Sequence, residues 1–313
     1  MTDEELSGIS NVPCRGGAVL SDYTTFRLGG PCRRLFDCSS ADQLERVWSA
    51  LSARPGEPSP LLIGGGSNLL VADAGVDRDV VRYLEQAPDV QRKGGMIRVS
   101  AGTLLDDVAR ITAAWGLDGL VSCSGIPGTV GGAIAGNAGA FGEQIGDVLV
   151  DAETLDTRGA RRTLDRDAFQ FVYRQSALPA LGEILLYARF DLRPSDPDAL
   201  QLRRQEILAL RASKHPDWRV TPTAGSFFKN IEPTSRAERR QAAGWFLEQA
   251  GALTMRVGGA RTFPRHANII IAEEGCRASD VIELAEHMAA AVKEMFGLEL
   301  RREVQIIGRL REP

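Results

Sequence analysis

The sequence predicts an α+β protein with two domains. Helical and strand-like segments are mixed along the whole chain, without internal repeats. The 313 residues are enough for two domains at roughly 150 residues each. Hydrophobic residues make up 43% and charged residues 25%, which is typical of a globular protein and too apolar for disorder. We therefore expect a chain that folds unaided around its own cores.

Hydrophobic periodicity predicts the elements of the first part of the chain. A helix is expected over about 41–53, where apolar residues recur at helical spacing, and Ser40 with Gln43 resembles a capping box. By itself, GGGSN at 64–68 is typical of a tight hairpin. Other predicted elements are strands over 61–63, 69–71, 97–100, 149–155 and 184–192 and a helix over 104–115.

The turn residues at 193–197 predict a domain boundary. Alternation of apolar and charged residues predicts a last strand over 298–307, on whose polar face Glu303 lies. Other predicted elements are a helix over 198–213, a helix from Ser235 with a capping box to Glu238, a strand over 266–272, and a helix over 279–296 that Gly297 ends and that faces inward through Val281, Leu284, Ala285, Met288, Val292 and Met295.

Charge and cysteine content exclude several classes of protein. The formal net charge of −4 and the pI of about 5.6 favour neither a nucleic-acid partner nor an anionic membrane. Five cysteines without a C-x-x-C pattern predict a reduced cytosolic protein with no metal site. The acidic N-terminus lacks the apolar core of a signal peptide. The uncharged stretch 119–142 is too rich in glycine to be expected in lipid.

Two glycine-rich segments are the candidate binding loops. The glycines of 64–68 can aim several backbone N–H groups at an anion. This segment matches neither the dinucleotide nor the P-loop fingerprint, which argues against a Rossmann domain. A second, longer segment covers 124–139. Together they favour a long flat ligand, with a diphosphate at one loop and a ring system along the other. The alternative is close packing of backbone on backbone.

An ordered set of motifs resembles the UDP-N-acetylenolpyruvoylglucosamine reductase family over about 11–308, nearly the whole chain. Each motif alone is weak, but their order is specific. The chain is similar to the shorter branch of the family, which lacks a tyrosine-bearing insertion after the YRQS motif. The motifs are TTFRLGG at 24–30, GGGSNLL at 64–70, SGIPGTVGGA at 124–133 with NAG at 137–139, YRQS at 173–176, GSFFKN at 225–230 and EVQIIG at 303–308.

The resemblance implies an FAD-binding domain of the vanillyl-alcohol-oxidase (PCMH) type over 11–195, with subdomains of about 11–73 and 74–195. A C-terminal α+β substrate-binding domain is expected over 205–313, with its last strand returning to the flavin. FAD should bind non-covalently. The implied cofactor-binding residues are Thr25, Gly64, Gly65, Gly66, Ser67, Asn68, Leu69, Ser124, Gly125, Ile126, Gly128, Thr129, Gly131, Gly132, Ala133 and Asn137.

The implied reaction is hydride transfer from NADPH to FAD, and then to the enolpyruvyl double bond of UDP-N-acetylglucosamine-enolpyruvate. The chain would thus be a bacterial, cytoplasmic, monomeric enzyme of peptidoglycan synthesis. Negative charge that passes into the substrate carboxylate must be stabilised and the carbanionic carbon protonated. The resemblance assigns the carboxylate clamp to Arg174, proton donation to Ser226, and stabilisation of the enol to Glu303. Substrate-binding roles are implied for Tyr173, Lys214, Asn230 and His266.

The chain departs from the family pattern at two places. Ile231 follows GSFFKN where proline is usual, and 251–256 lacks a phosphate-binding lysine, for which Arg256 is the candidate substitute. Two alternative functions stay open. One is an FAD-dependent sugar or alcohol oxidase of the same fold. The other is a non-catalytic flavin- or nucleotide-sugar-binding homologue.

Overall fold

The computed structural model describes residues 12–54, 56–232 and 240–309. These residues form two compact units, each built from separate stretches of sequence. The first unit comprises 12–18, 33–65 and 78–210, and the second comprises 19–32, 66–77 and the described residues from 211 onward. The chain therefore leaves the first unit and enters the second between Gly65 and Gly66, inside the first glycine-rich segment.

Short strands and helices are mixed in both units, which confirms the predicted α+β class. The strands are β1 (Cys14–Gly16), β2 (Cys32–Cys38), β3 (Leu61–Ile63), β4 (Leu69–Val71), β5 (Val76–Tyr83), β6 (Val90–Lys93), β7 (Met96–Ser100), β8 (Leu117–Asp118), β9 (Gly139–Ala140), β10 (Glu143–Gln144), β11 (Leu149–Leu155), β12 (Arg161–Asp165), β13 (Ile184–Asp191), β14 (Arg193–Pro194), β15 (Thr223–Ser226), β16 (Arg256–Val257), β17 (Ala260–Phe263), β18 (His266–Ala272) and β19 (Gln305–Ile307). The α-helices are α1 (Ala41–Ser52), α2 (Leu105–Ala114), α3 (Val130–Ala135), α4 (Ile145–Val148), α5 (Leu178–Leu181), α6 (Pro197–Lys214), α7 (Ala243–Gln249) and α8 (Ala278–Phe296).

The long helices begin and end close to the predicted residues because local signals fix them. The Ser40 side chain accepts a hydrogen bond from the Gln43 amide at 3.3 Å, while the Gln43 side chain returns to the amide of Ser39. Gly297 ends α8 in the left-handed conformation, at φ 68°. The capping box predicted at Ser235 and Glu238 lies outside the described residues.

The hairpin expected around GGGSN is wrong. β3 lies parallel to β5, whereas β4 lies parallel to β19, with Leu69 opposite Gln305. Each short apolar run finds a longer-range partner in its own unit, so the glycines connect two sheets instead of closing one. The turn chemistry of the segment alone does not reveal these distant partners.

Two predictions near the C-terminus are also wrong. The last strand is only β19, because residues 301–303 pair with 227–229 before the chain changes partner to join β4. Met295 is 58% exposed instead of facing inward. Its neighbour Phe296 closes that end of α8 by contacting Trp245 and Phe246 at ring-centroid distances of 6.0 and 5.1 Å.

The first unit contains two larger sheets and one core. The strand orders are β1-β2-β5-β3 and β12-β11-β13-β7-β6. The apolar faces of α1 and α2 contribute buried side chains such as Leu44 and Val108, and the central strands contribute others such as Phe190. Burial of this apolar surface is the main driving force for folding of the unit.

The second unit is built on the sheet β15-β18-β17-β16, with α7 and α8 contributing to its core. Asp73, two residues after β4, caps α8. Its carboxylate accepts hydrogen bonds from the amides of Ala278 at 2.8 Å and Ser279 at 3.3 Å. This contact links the residues that follow β4 to α8, the longest helix described in the unit.

We expect Asp73→Ala to lower the free energy of unfolding by about 1–2 kcal/mol, because two amides at the N-terminus of α8 lose a charged acceptor. Urea unfolding measures the change. Asp198→Ala, at an exposed position in the first turn of α6, is the control and should change stability by less than about 0.5 kcal/mol. Equal losses in the two variants would contradict the capping role.

Candidate functional site

The two glycine-rich segments pack directly against each other within the first unit. A Cβ atom at Gly64 would lie 2.5 Å from Oγ1 of Thr129, and one at Gly65 would lie 3.3 Å from Cα of Gly128. Gly65 thus packs against backbone, the alternative considered from the sequence, whereas Gly64 packs against the side chain of Thr129. Gly132 differs, because it is exposed and a Cβ atom there would lie at an ordinary contact distance of 3.6 Å from Thr129 Oγ1.

Hydrogen bonds hold the second glycine-rich segment in place. Thr129 caps α3 by accepting the amide of Gly132 at 3.3 Å, and the amide of Gly131 donates to the carbonyl of Ala101 at 2.9 Å. The amide of Gly125 donates to the Asp106 carboxylate at 2.7 Å, which the buried Arg204 also binds at 2.6 Å. Burial opposes the charge on Asp106, but the hydrogen bonds from Arg204 and Gly125 outweigh it and lower the pKa of Asp106.

Arg174 sits on a tight turn that the second segment positions. Val172 and Gln175 close the turn with two backbone hydrogen bonds of 3.1 and 3.2 Å, and Arg174 adopts φ 54° within it. Asn137 donates its side-chain amide to the carbonyl of Val172 at 2.9 Å, and Ser176 donates to the carbonyl of Ala135 at 2.9 Å. A left-handed arginine is uncommon, and such conformations cluster at functional sites.

The guanidinium of Arg174 is half-buried and lies 5.5 Å from the centroid of the Tyr173 ring. The pair presents a permanent positive charge beside an aromatic surface. Its planar fork suits a carboxylate or phosphate bound by two hydrogen bonds.

A glycine bulge aims Ser226 in the second unit. The pairing of β15 with β18 shifts by one residue between Thr223 and Ser226, and Gly225 between them adopts φ 76°. Such a bulge turns the following side chain out of the regular alternation of the strand. The glycine of the GSFFKN motif is therefore required by the backbone.

Ser226 and Glu303 lie on adjacent stretches of backbone. The amide of Glu303 donates to the carbonyl of Phe227 at 2.8 Å, and the amide of Lys229 donates to the carbonyl of Arg301 at 2.8 Å. The carbonyl of Glu303 accepts the side-chain amide of Asn68 at 3.1 Å. The structure thus brings together two residues that are 77 positions apart in the sequence numbering, and both side chains are half-buried.

His266 and His215 form a second cluster in the same unit. Their ring centroids are 5.3 Å apart. Burial, followed by the charges of His266, Arg211 and Lys214, lowers the pKa of His215 to about 4. Burial and Lys214 also lower the pKa of His266. Nδ1 of His266 accepts the amide of Asn268 at 3.2 Å, so the proton of the neutral ring is on Nε2, which can donate to a ligand.

The remaining predicted residues of the second unit have mixed roles. Asn230 accepts the amide of Ala243 at 3.2 Å, which places its oxygen at the start of α7. Thr25 donates its hydroxyl to the carbonyl of Thr223 at 2.7 Å and its amide to the carbonyl of Gly66 at 3.2 Å. Lys214 is the exposed last residue of α6. Arg256, the candidate substitute for the absent lysine, pairs with Glu273 at 3.1 Å.

The chain offers polar groups that fit a bound FAD. Among the described residues, the amides of Gly65 and Gly66 find no hydrogen-bond acceptor. The buried hydroxyls of Ser122 in the first unit and Thr24 in the second also have no partner there. Buried polar groups are normally satisfied, so each of these donors is able to hydrogen-bond to a polar ligand.

Sequence reasoning missed several residues that hold the site. Asp106 and Arg204 are 98 positions apart, and no local pattern links them. Asn268 lies two residues after His266, but its role depends on a hydrogen bond with Phe228, 40 positions away. The FAD-binding residues expected from the sequence include Thr25 but not Thr24, whose buried hydroxyl has no partner among the described residues.

Comparison with known proteins defines the class of this protein. Residues 33–165 match the model of an FAD binding domain, and residues 215–307 match the C-terminal domain of UDP-N-acetylenolpyruvoylglucosamine reductase. The chain is an FAD-containing oxidoreductase.

Relatives along the whole chain define the family. The UDP-N-acetylenolpyruvoylglucosamine reductase of Moorella thermoacetica is 38% identical over 290 residues, which cover 92% of this chain and 91% of the relative. The Synechococcus sp. enzyme is 38% identical over 301 residues and 94% of each chain. The crystal structure of the Thermus caldophilus enzyme is 31% identical, with a TM-score of 0.77 over 95% of this chain and 99% of that chain. This chain belongs to the UDP-N-acetylenolpyruvoylglucosamine reductase family.

The described part of the chain contains neither a membrane-spanning helix nor a metal-binding cluster. None of its helices is both long and apolar enough to cross a membrane. Its histidine, cysteine and acidic side chains form no group of three or more that could hold a metal ion.

We expect the free energy of unfolding to fall as the pH is lowered from 6.5 to 4. The unfolded state binds a proton at His215 near pH 6.5, whereas the folded state keeps this ring neutral to about pH 4. His215→Gln should flatten the fall, as measured by urea unfolding at several pH values. His287→Gln, at an exposed position of α8, controls for the loss of an imidazole. An unchanged slope in His215→Gln would contradict the assignment.

Proposed function

We propose that Arg174, Ser226 and Glu303 carry the reaction of the family in this chain. As a member of the family, the protein is an NADPH-dependent flavoenzyme that reduces the enolpyruvyl group of UDP-N-acetylglucosamine-enolpyruvate to UDP-N-acetylmuramate in peptidoglycan synthesis. FAD, when bound, supplies the hydride that NADPH provides. The observation that carries the proposal is the 2.8 Å hydrogen bond from the amide of Glu303 to the carbonyl of Phe227, the residue after Ser226.

The glycine-rich segments hold the cofactor in this proposal. Gly65 and Gly66 donate their amides to the diphosphate, because an array of N–H groups suits an anion. The exposed face of the second segment, around Gly132, would contact the flavin ring. These roles are supported by the amides without acceptors among the described residues and by the room at Gly132.

Arg174 binds the carboxylate of the enolpyruvyl group. Hydride addition at the terminal methylene carbon moves negative charge onto the carbon beside the carboxylate and into the carboxylate itself, and a fixed guanidinium stabilises that charge more in the transition state than in the ground state. The turn that Asn137 and Ser176 hold supports the proposal, because it limits the reorganisation of the guanidinium during the reaction.

Ser226 donates the proton to the carbanionic carbon. A serine hydroxyl is a weak acid, but an enolate with two negative charges is basic enough to accept its proton when the two groups are held together. Glu303, in its protonated form, donates a hydrogen bond to the same carboxylate and so stabilises the enol. The bulge at Gly225 supports this assignment, because it fixes the direction of the serine side chain.

The nucleotide part of the substrate is bound by four further residues. Lys214 binds the diphosphate, and Tyr173 contributes its aromatic face. Asn230 donates its side-chain NH2, since its oxygen is engaged at α7. His266 donates through Nε2, which agrees with its acceptor contact at Nδ1.

The predicted organisation of the chain forms part of the same proposal. The FAD-binding domain covers 11–195, with subdomains of about 11–73 and 74–195, and the substrate-binding domain covers 205–313. The protein acts as a monomer in the bacterial cytoplasm and has no nucleic-acid partner. Its net charge of −4 supports the last point.

We expect Ser226→Ala to leave the reduction of the flavin by NADPH largely unchanged and to slow its reoxidation by the enolpyruvyl substrate by about 10²- to 10⁴-fold, the range lost with a general acid. Anaerobic stopped-flow measurements separate the two half-reactions. Ser279→Ala, a half-buried serine at the start of α8, is the control. Normal reoxidation by Ser226→Ala would end the proton-donor assignment.

We expect Gly132→Ala to leave the apoprotein as stable as the wild type or more stable, because alanine favours the helix and has room there. It should weaken FAD binding by about 10- to 100-fold, because the methyl group crowds the flavin. Gly64→Ala should lower both stability and affinity, since its Cβ meets Thr129. Fluorescence titration with FAD and urea unfolding measure the two effects. Wild-type FAD affinity in Gly132→Ala would contradict the flavin contact.

A further inference from the structure

Asn268 makes three hydrogen bonds to the two residues that follow Ser226 and a fourth to His266. This residue of β18 is only 2% exposed. Its side-chain oxygen accepts the amide of Phe228 at 2.9 Å, and its side-chain NH2 donates to the carbonyl of Phe228 at 2.8 Å. Its own carbonyl accepts the amide of Phe227 at 2.8 Å, and its own amide donates to His266.

The pairing on the other side of the segment explains why the Asn268 side chain is needed. Phe228 and Arg302 form an antiparallel bridge in which Lys229 donates to Arg301 and Glu303 donates to Phe227. In such a pair the N–H and C=O groups of the central residue point away from the partner strand. The N–H and C=O groups of Phe228 therefore point toward β18. There the side chain of Asn268 hydrogen-bonds to both groups, as the backbone of a paired strand would do.

We infer that Asn268 is the positioning residue for proton delivery by Ser226. The inference rests on the proposed roles of Ser226 and Glu303. Residues 227–229 link Ser226 directly to the 301–303 segment, which carries Glu303, and Asn268 fixes their opposite edge. A shift of about 1 Å in this edge is enough to misplace the serine hydroxyl, and misplacement on this scale costs up to about 10²-fold in rate.

The side chain of asparagine carries a hydrogen-bond donor and an acceptor together, whereas an ionised aspartate carries acceptors only. One donor and one acceptor, side by side, match the C=O and N–H of Phe228. An ionised aspartate at this position would accept the Phe228 amide but repel its carbonyl. A protonated aspartate would again offer one donor and one acceptor.

The test compares Asn268→Asp with the wild-type holoenzyme in both half-reactions. We expect FAD affinity and flavin reduction by NADPH to stay close to wild type, while reoxidation by the enolpyruvyl substrate slows by about 10- to 100-fold. The deficit should shrink as the pH falls, because protonation of the new carboxyl group restores the donor. Rates are compared with the wild type at each pH, so titration of His266 and Glu303 affects both proteins.

Two variants complete the experiment. Asn268→Leu removes the donor and the acceptor and should show a deficit that does not change with pH. Thr262→Val, at a buried position in the neighbouring strand β17, should leave both half-reactions unchanged. The inference would be overturned if Asn268→Asp lost equal rate in both half-reactions or reoxidised normally. It would also be overturned if both Asn268 variants failed to bind FAD while Thr262→Val bound it. A slow Ser226→Ala with a normal Asn268→Asp would reject the positioning role and leave the proposed function intact.

Discussion

The backbone of residues 227–229 is held along both edges, by the 301–303 segment on one side and by the Asn268 side chain on the other. The geometry of the second unit's candidate site depends on this constraint. It fixes the 301–303 segment, which carries Glu303, beside the residues that follow Ser226. An unsatisfied buried N–H or C=O costs about 1–3 kcal/mol, so the segment has few alternative positions once Asn268 is buried beside it.

Glycines occur in the two glycine-rich segments for two different structural reasons. At Gly64, Gly65 and Gly66 the protein itself leaves no room for a side chain, and the nearest atoms belong to Thr129, Gly128 and Tyr23. At Gly132 the protein leaves room. A sequence pattern cannot separate the two cases, because both require the same residue. The atoms around each glycine distinguish the two cases, and they show at which glycine a substitution tests for contact with a ligand.

Local signals in the sequence were enough for much of the fold. Ser40 and Gly297 mark helix ends through their own side chain or backbone, and the amphipathic face of α8 is visible as spacing. The GGGSN segment at 64–68, by itself typical of a hairpin, does not close one, because the flanking strands pair with β5 and β19 instead of with each other. The same limit applies to the site. Motif order leads to the proposal of Arg174, Ser226 and Glu303, but no motif points to Asn268 or Asp106, whose contacts are 40 and 98 positions away.

The most direct test of the central claim is the absorbance spectrum of the purified protein under anaerobic conditions, first alone, then with NADPH, then with UDP-N-acetylglucosamine-enolpyruvate. The account predicts a yellow protein that NADPH bleaches and whose colour the enolpyruvyl nucleotide restores without oxygen. A protein that stays bleached until oxygen is admitted, or that a simple sugar reduces in the absence of NADPH, would contradict it.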